Sequence, residues 1–114
     1  MKRVVYYLTA NGVEPFTKWL HKLDRPVQAR LLRRINRIER PGYLGGHKPL
    51  KGIAGISELR DFSGPGYRIY YGVDGDYIVV ILAGGDKSDY RSMARKAGEY
   101  WQDYLTRKRS GEHA

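Results

Sequence analysis

A chain of 114 residues, 41% hydrophobic, is long enough for a single core and reads as one folded domain over residues 1–114. It holds no cysteine, which rules out disulfides and cysteine metal sites and fits the cytoplasm; no apolar run nears membrane-span length, and the N-terminus lacks a signal-peptide core. The net charge of +9 is segregated, with 12 Lys/Arg against 3 Asp/Glu in residues 1–55 and 9 of each afterwards, which suits a polyanionic partner or, equally, a plain solvated face.

Residues 3–9, RVVYYLT, are β-branched and aromatic and read as a strand, which Asn11-Gly12 breaks. Pro15 stands where proline opens a helix, and Phe16, Trp19, Leu20 and Leu23 recur at helical spacing, predicting two to three turns. Asp24 with Pro26 just inside starts a second helix that runs to about Arg40, before Pro41-Gly42. Its apolar stripe is Val27, Leu31, Leu32, Ile35 and Ile38, with Arg30, Arg33, Arg34, Arg37 and Arg40 largely on the other side. Two such helices form a hairpin that must bury its stripe against a sheet.

After a Gly-rich connection containing His47, Lys48 and Lys51, three antiparallel strands are expected at 56–62, 66–73 and 77–83. The last, Tyr77-Ile78-Val79-Val80-Ile81-Leu82-Ala83, is a continuous apolar run and should be buried on both faces. Asp74-Gly75 favours a two-residue hairpin, and Ser63-Gly64-Pro65-Gly66 makes the other turn. The tail, capped near Ser88, repeats Met93, Ala94, Ala97, Tyr100, Trp101, Tyr104 and Leu105 at helical spacing to about Lys108, with a frayed end from Arg107 onward. The order β-α-α-β-β-β-α is that of an α+β domain.

The chain has no His/Cys cluster at metal spacing, no Walker loop and no nucleophile elbow, and its three histidines are scattered. Cations and phenols remain. If the turn holds Ser63–Pro65, Arg60 and Arg68 pair directly on one face; a four-residue turn sends them to opposite faces unless a bulge corrects the register. An anion between them would explain two opposed like charges. Ion pairs of Arg60 with Glu58 or Asp61, and of Arg68 with a neighbouring acid, would explain them as well. Gly84-Gly85-Asp86-Lys87-Ser88 admits two readings also, a backbone cradle for a phosphate with Lys87 beside it or an ordinary strand-to-helix turn. Tyr90 lies one helical turn further on, placed to stack a base or move a proton.

The run KPLKGIAGISELRDFSGPGYRIYYGVDGDYIVVILAGGDKS, followed by KAGEYWQDYLTR, resembles the RelE/ParE toxin superfamily of type II toxin–antitoxin systems, and most of all its HigB-type, phage Gp49-like "addiction module killer" branch. The resemblance implies a helical hairpin on an antiparallel-rich sheet with a C-terminal amphipathic helix. It also implies a ribosome-dependent mRNA endonuclease that works without metal or cofactor, in which the RNA 2′-hydroxyl attacks the adjacent phosphate. Arg68 would hold that phosphate, Arg60 would lie on the active face, Lys87 would stabilise charge or donate a proton, and Tyr90 would complete the catalytic set. Lys48 and Lys51 would contact RNA backbone. Glu58 stands where RelE is basic, and Lys87 where RelE has an arginine, so the bidentate phosphate fork is lost there. The partners implied are ribosome, mRNA and a cognate antitoxin, often of helix-turn-helix type, through which the complex binds operator DNA. The competing expectation is a ParE-like gyrase poison that cuts no RNA.

Overall fold

The computed structural model describes residues 2–40, 47–49, 55–61 and 63–111, those at 47–49 by their backbone alone. In chain order the elements are β1 (Arg3–Tyr6), α1 (Pro15–Leu20), α2 (Arg25–Ile38), β2 (His47–Pro49), β3 (Ile56–Asp61), β4 (Tyr67–Asp74), β5 (Ile78–Gly85), a 3₁₀ turn (Lys87–Asp89) and α3 (Tyr90–Arg109). The sheet runs β1-β5-β4-β3-β2, with β1 parallel to β5 and every other pair antiparallel. The α+β expectation therefore holds, with one strand added: β2 is only three residues long and carries no strand signature of its own.

β5 occupies the middle of the molecule. Val79, Val80, Ile81, Leu82 and Ala83 are all buried, because the helical hairpin covers one face of the sheet and α3 the other. Phe16, Leu20, Leu31, Ile35 and Ile38 meet Val79 and Ile81 on the first face; Ala94, Ala97 and Trp101 meet Val80, Leu82 and Ala83 on the second. Each large aliphatic side chain so buried contributes about 1.5–3 kcal/mol. A bulge accounts for the break in alternation: Tyr71 pairs with Ile81 and Tyr70 with Ala83, so Leu82 is one residue extra.

Several boundaries move. α1 spans six residues instead of two to three turns, ending at Leu20 with His21 as its C-cap, and Leu23 lies in the link to α2. The β4–β5 hairpin closes with Asp74 opposite Ile78, so its loop is Gly75-Asp76-Tyr77, three residues and not two, with Gly75 at φ +66. Tyr77 consequently leaves the buried strand and stands exposed at the tip. α3 does not fray at Arg107. That side chain bonds Asp103 at 2.8 Å and the Leu8 carbonyl, Lys108 pairs with Asp74, and Tyr104 donates to Asp74 Oδ2 at 2.8 Å. Tyr7 adds a hydrogen bond to Asp103 Oδ2 at 2.5 Å and stacks on Tyr100, fixing the helix across the sheet. Among the described residues, no helix is long and apolar enough to cross a membrane.

Candidate functional site

The site forms where β3 and β4 emerge beneath the start of α3. Asp61 pairs with Tyr67, so residues 62–66 make the connection, with Gly64 at φ +60 and Gly66 at φ +76. An odd number of residues outside the ladder leaves Arg60 directly opposite Arg68, on one face, without a bulge. Glu58 and Tyr70 are the cross-strand pair two residues further in, and Gly85 of β5 lies on the far side of Arg68. The row Arg60, Arg68, Gly85 thus sets two cations side by side at the strand ends.

Glu58 is 1% exposed and serves both arginines. Arg60 Nε donates to its Oε1 at 2.6 Å, whereas Arg68 Nε stands 3.4 Å from Oε2 without hydrogen-bond geometry. The Arg68 side chain is only 14% exposed, and its Nε and Nη1, together with Glu58 Oε2, have no hydrogen-bond partner among the described residues. Buried donors left in that condition cost about 1–3 kcal/mol each. Over the Arg68 guanidinium lies the ring of Tyr90, 4.7 Å away, an attractive cation–π contact. Tyr70 donates to the Tyr90 carbonyl at 3.4 Å. Burial, and then the Glu58 charge, push the Tyr70 phenol well above the ordinary tyrosine range, so it stays neutral and gives up its proton reluctantly.

The other face of β3 explains why Arg60 does not use Asp61. Arg30 Nε bonds Asp61 Oδ2 at 2.8 Å, the Ser63 amide bonds Oδ1 at 2.9 Å, and Arg34 donates to the Arg60 carbonyl at 2.7 Å. Burial alone would raise the Asp61 carboxyl, but the Arg30 and Ser63 hydrogen bonds outweigh it and hold it below its usual value. Two arginines of α2 are therefore spent on clamping the strand end, not displayed to solvent with the rest of the helix's basic face.

The glycines at the end of β5 make room for protein, not for a ligand. A methyl on Gly84 would overlap the Trp19 indole, and one on Gly85 would come within 2.6 Å of Asp89 Oδ1. The helix start is capped differently from expectation too. Asp86, not Ser88, caps the 3₁₀ turn that leads into α3: its Oδ1 accepts from the Ser88 amide at 2.8 Å and the Ser88 hydroxyl at 2.6 Å, and Asp89 Oδ1 accepts from the Asp86 amide at 2.8 Å, while Asp89 itself is the N-cap of α3. Those bonds from Ser88 hold the Asp86 carboxyl below the usual range. With two carboxylates already on these amides, the turn is a poor phosphate cradle.

Of the residues expected from sequence, Arg60, Arg68 and Tyr90 come together. Lys87 is exposed at the rim, lining an open depression with Ser88, Tyr90 and Arg91. The backbone of Lys48 runs in β2 opposite Glu58, but its side chain, and Lys51 altogether, lie outside the described residues. The sequence offered Glu58 as a possible ion-pair partner of Arg60 and as an acid where RelE is basic, but did not single out Tyr70. Both sit at the alternate positions that share a face with Arg60 and Arg68, which is the signal that could have found them.

Comparison with known proteins agrees with this architecture. The family model described as phage derived protein Gp49-like matches residues 18–97, which include each residue named for the site. An uncharacterized protein of Haemophilus influenzae is 37% identical over 75 residues, 64% of this chain and 72% of its own. Among solved structures, the RelBE2 toxin–antitoxin complex of Mycobacterium tuberculosis matches with a TM-score of 0.53 at 27% identity, over 73% of this chain and 100% of that one. A mutant of E. coli toxin RelE in the free state matches with a TM-score of 0.51 at 19% identity, over 81% and 98%, a likeness of fold. The chain belongs to the phage-derived Gp49-like family and is built on the fold of the RelE toxins.

Proposed function

We propose that this protein is the toxin of a type II toxin–antitoxin module and that it cuts mRNA on the ribosome without a metal or bound cofactor. The observation that carries the reading is Arg68, a nearly buried guanidinium whose Nε and Nη1 lack hydrogen-bond partners among the described residues, beside a second arginine and under an aromatic ring. A phosphodiester oxygen satisfies such donors, and a base stacks on such a ring. In the reaction the 2′-hydroxyl oxygen attacks phosphorus, loses its proton, and the bond to the 5′-oxygen breaks as that oxygen gains one. The products are a 2′,3′-cyclic phosphate and a 5′-hydroxyl. Arg68 holds the phosphate and, with Arg60, offsets the charge that builds on it. Lys87, free to swing in from the rim, supplies further charge or the leaving-group proton, and Tyr90 orients the nucleotide. Lys48 and Lys51 contact backbone outside the scissile bond.

The toxin–antitoxin neighbour supports an antitoxin as partner. That partner, of helix-turn-helix type, would carry the complex to its operator DNA, and the basic first half of the chain suits an acidic protein surface. Inducible expression in bacteria tests the reading when mRNA 5′ ends and gyrase-linked DNA breaks are mapped in one culture. New in-frame cuts that vanish when translation is blocked are expected. DNA breaks with intact messages would assign the protein to the gyrase poisons, and normal growth with neither signal would leave a basic binding domain.

A further inference from the structure

Glu58 presents a puzzle that the proposed reaction does not use. It is a carboxylate, fully buried, in the middle of a site read as gripping a phosphate, where its own charge repels the substrate. An acid that served only to neutralise two arginines would be expected to hold them alike. It does not. The contact to Arg60 is a 2.6 Å hydrogen bond, whereas Arg68 is left at 3.4 Å with two donors unsatisfied, and Glu58 Oε2 is unsatisfied too.

We propose that Arg60 is a positioning residue for the anion site. It engages Glu58 tightly, and that engagement keeps the carboxylate from closing on Arg68, whose donors stay available to the phosphodiester. The fold is arranged to keep this division. Glu58 and Arg60 are alternate residues of one strand, so their side chains share a face at fixed separation, while Arg68 reaches Glu58 only diagonally from β4. Arg60 is also anchored through its backbone, since its carbonyl accepts from Arg34. On the Arg68 side, Tyr90 covers the guanidinium with a π face, which attracts the cation without satisfying its in-plane N–H groups. The two arginines therefore have different duties: Arg60 occupies the carboxylate, and Arg68 takes the substrate. This rests on the phosphate-binding reading above.

Arg60→Met, alone and combined with Glu58→Gln, separates positioning from charge. If Arg60 only adds positive charge, Glu58→Gln has the same effect with and without it; if Arg60 holds the carboxylate off Arg68, removing the carboxylate matters most once Arg60 is gone. The probe is a 2′-O-methylated RNA oligonucleotide of mixed sequence, which cannot be cleaved, titrated into the full chain while the arginine Nε–H resonances are followed by NMR. In the wild type, the Arg68 Nε–H is expected to move strongly and the Arg60 Nε–H, already held by carboxylate, to stay nearly fixed. Arg60→Met should bind about tenfold more weakly, the loss of one charge-assisted hydrogen bond as Glu58 closes on Arg68, and adding Glu58→Gln should restore most of that, whereas Glu58→Gln alone should change binding little. An equal effect of Glu58→Gln in the wild type and in Arg60→Met, or equal shifts of both arginines in the wild type, overturns the positioning role alone. The wild-type titration decides the matter even if a variant does not fold. Absence of any arginine shift in the wild type would overturn the phosphate site itself, and the positioning role with it.

Discussion

Replacing Arg68 with methionine should abolish toxicity while leaving the fold as stable as before, or more so. Methionine keeps much of the apolar stem and removes the guanidinium. What is lost is the contact under Tyr90, worth about 0.5–1 kcal/mol, together with the longer, 3.4 Å ion pair to Glu58, worth about 1–3 kcal/mol. What is removed with it are two buried donors without partners, each costing about 1–3 kcal/mol as they stand. Glu58 keeps its closer partner, since the 2.6 Å bond from Arg60 is untouched. These opposing contributions leave the variant near neutrality or somewhat more stable, read as an unchanged or raised midpoint in urea denaturation. Arg60→Met should behave the other way, because it strips a buried carboxylate of its hydrogen bond; about 3 kcal/mol is lost before Arg68 moves to compensate. Growth on induction gives the second axis, with Arg68→Met expected to be harmless to the host. A loss of more than about 2 kcal/mol in Arg68→Met would refute the reasoning, because it would mean that the guanidinium is a structural cation and not one held in reserve.

Ile81→Asp, at a position with 0% exposure, should leave no folded protein, because it places an unpaired charge between both layers of the core; a soluble variant with a cooperative melt would contradict the placement of β5. Gly84→Ala should cost about 1–3 kcal/mol by pushing Trp19 off the strand, and combining it with Trp19→Leu should recover much of that cost; strict additivity of the two losses would deny the contact. Tyr7 and Tyr104 are each pushed up to about 12 by burial and then by hydrogen bonds to Asp103 and Asp74. Since an unfolded tyrosine titrates near pH ~10, their contribution is complete below that pH and fades as pH climbs toward 12. Tyrosinate absorbance recorded alongside circular dichroism should therefore show these phenols ionising together with unfolding, and their ionisation in a chain still folded at pH 11 would count against the network.

The three-strand meander was legible because local chemistry decides it: a β-branched run too apolar to face water, and turn residues at either end. The direct opposition of Arg60 and Arg68 was legible only as a condition. Ser63-Gly64-Pro65-Gly66 is compatible with turns of either parity, and parity alone decides which face Arg68 takes. β2 left no trace, since a three-residue strand is defined by its neighbour's hydrogen bonds and not by its own composition. Gly84 and Gly85 announced a close approach without naming what approaches; at Gly85 it is Asp89, four residues on, but at Gly84 it is Trp19, from a helix 65 residues away in sequence. Glu58 was the hardest to foresee. A charged residue in an alternating strand ordinarily marks the wet face, and only the arrival of α3 over that face buries it.

The parallel pairing of β1 with β5 dictates an order of events during synthesis. Arg3 has no strand to join until Ile78 has left the ribosome, and Val5 none until Val80. The basic first half of the chain therefore emerges with its edge unpaired, while Arg60 and Arg68 can meet as soon as β4 follows β3. Their setting comes later still: Tyr90 is the first residue of α3, and the indole of Trp101 that lies against Gly72 comes eleven residues after it. A nascent chain interrupted before Tyr90 would hold both arginines with neither the packed layer behind them nor the ring above. The pair of arginines thus gains its surroundings only with the last helix, and a chain cut short of it would carry the same two cations in a different setting.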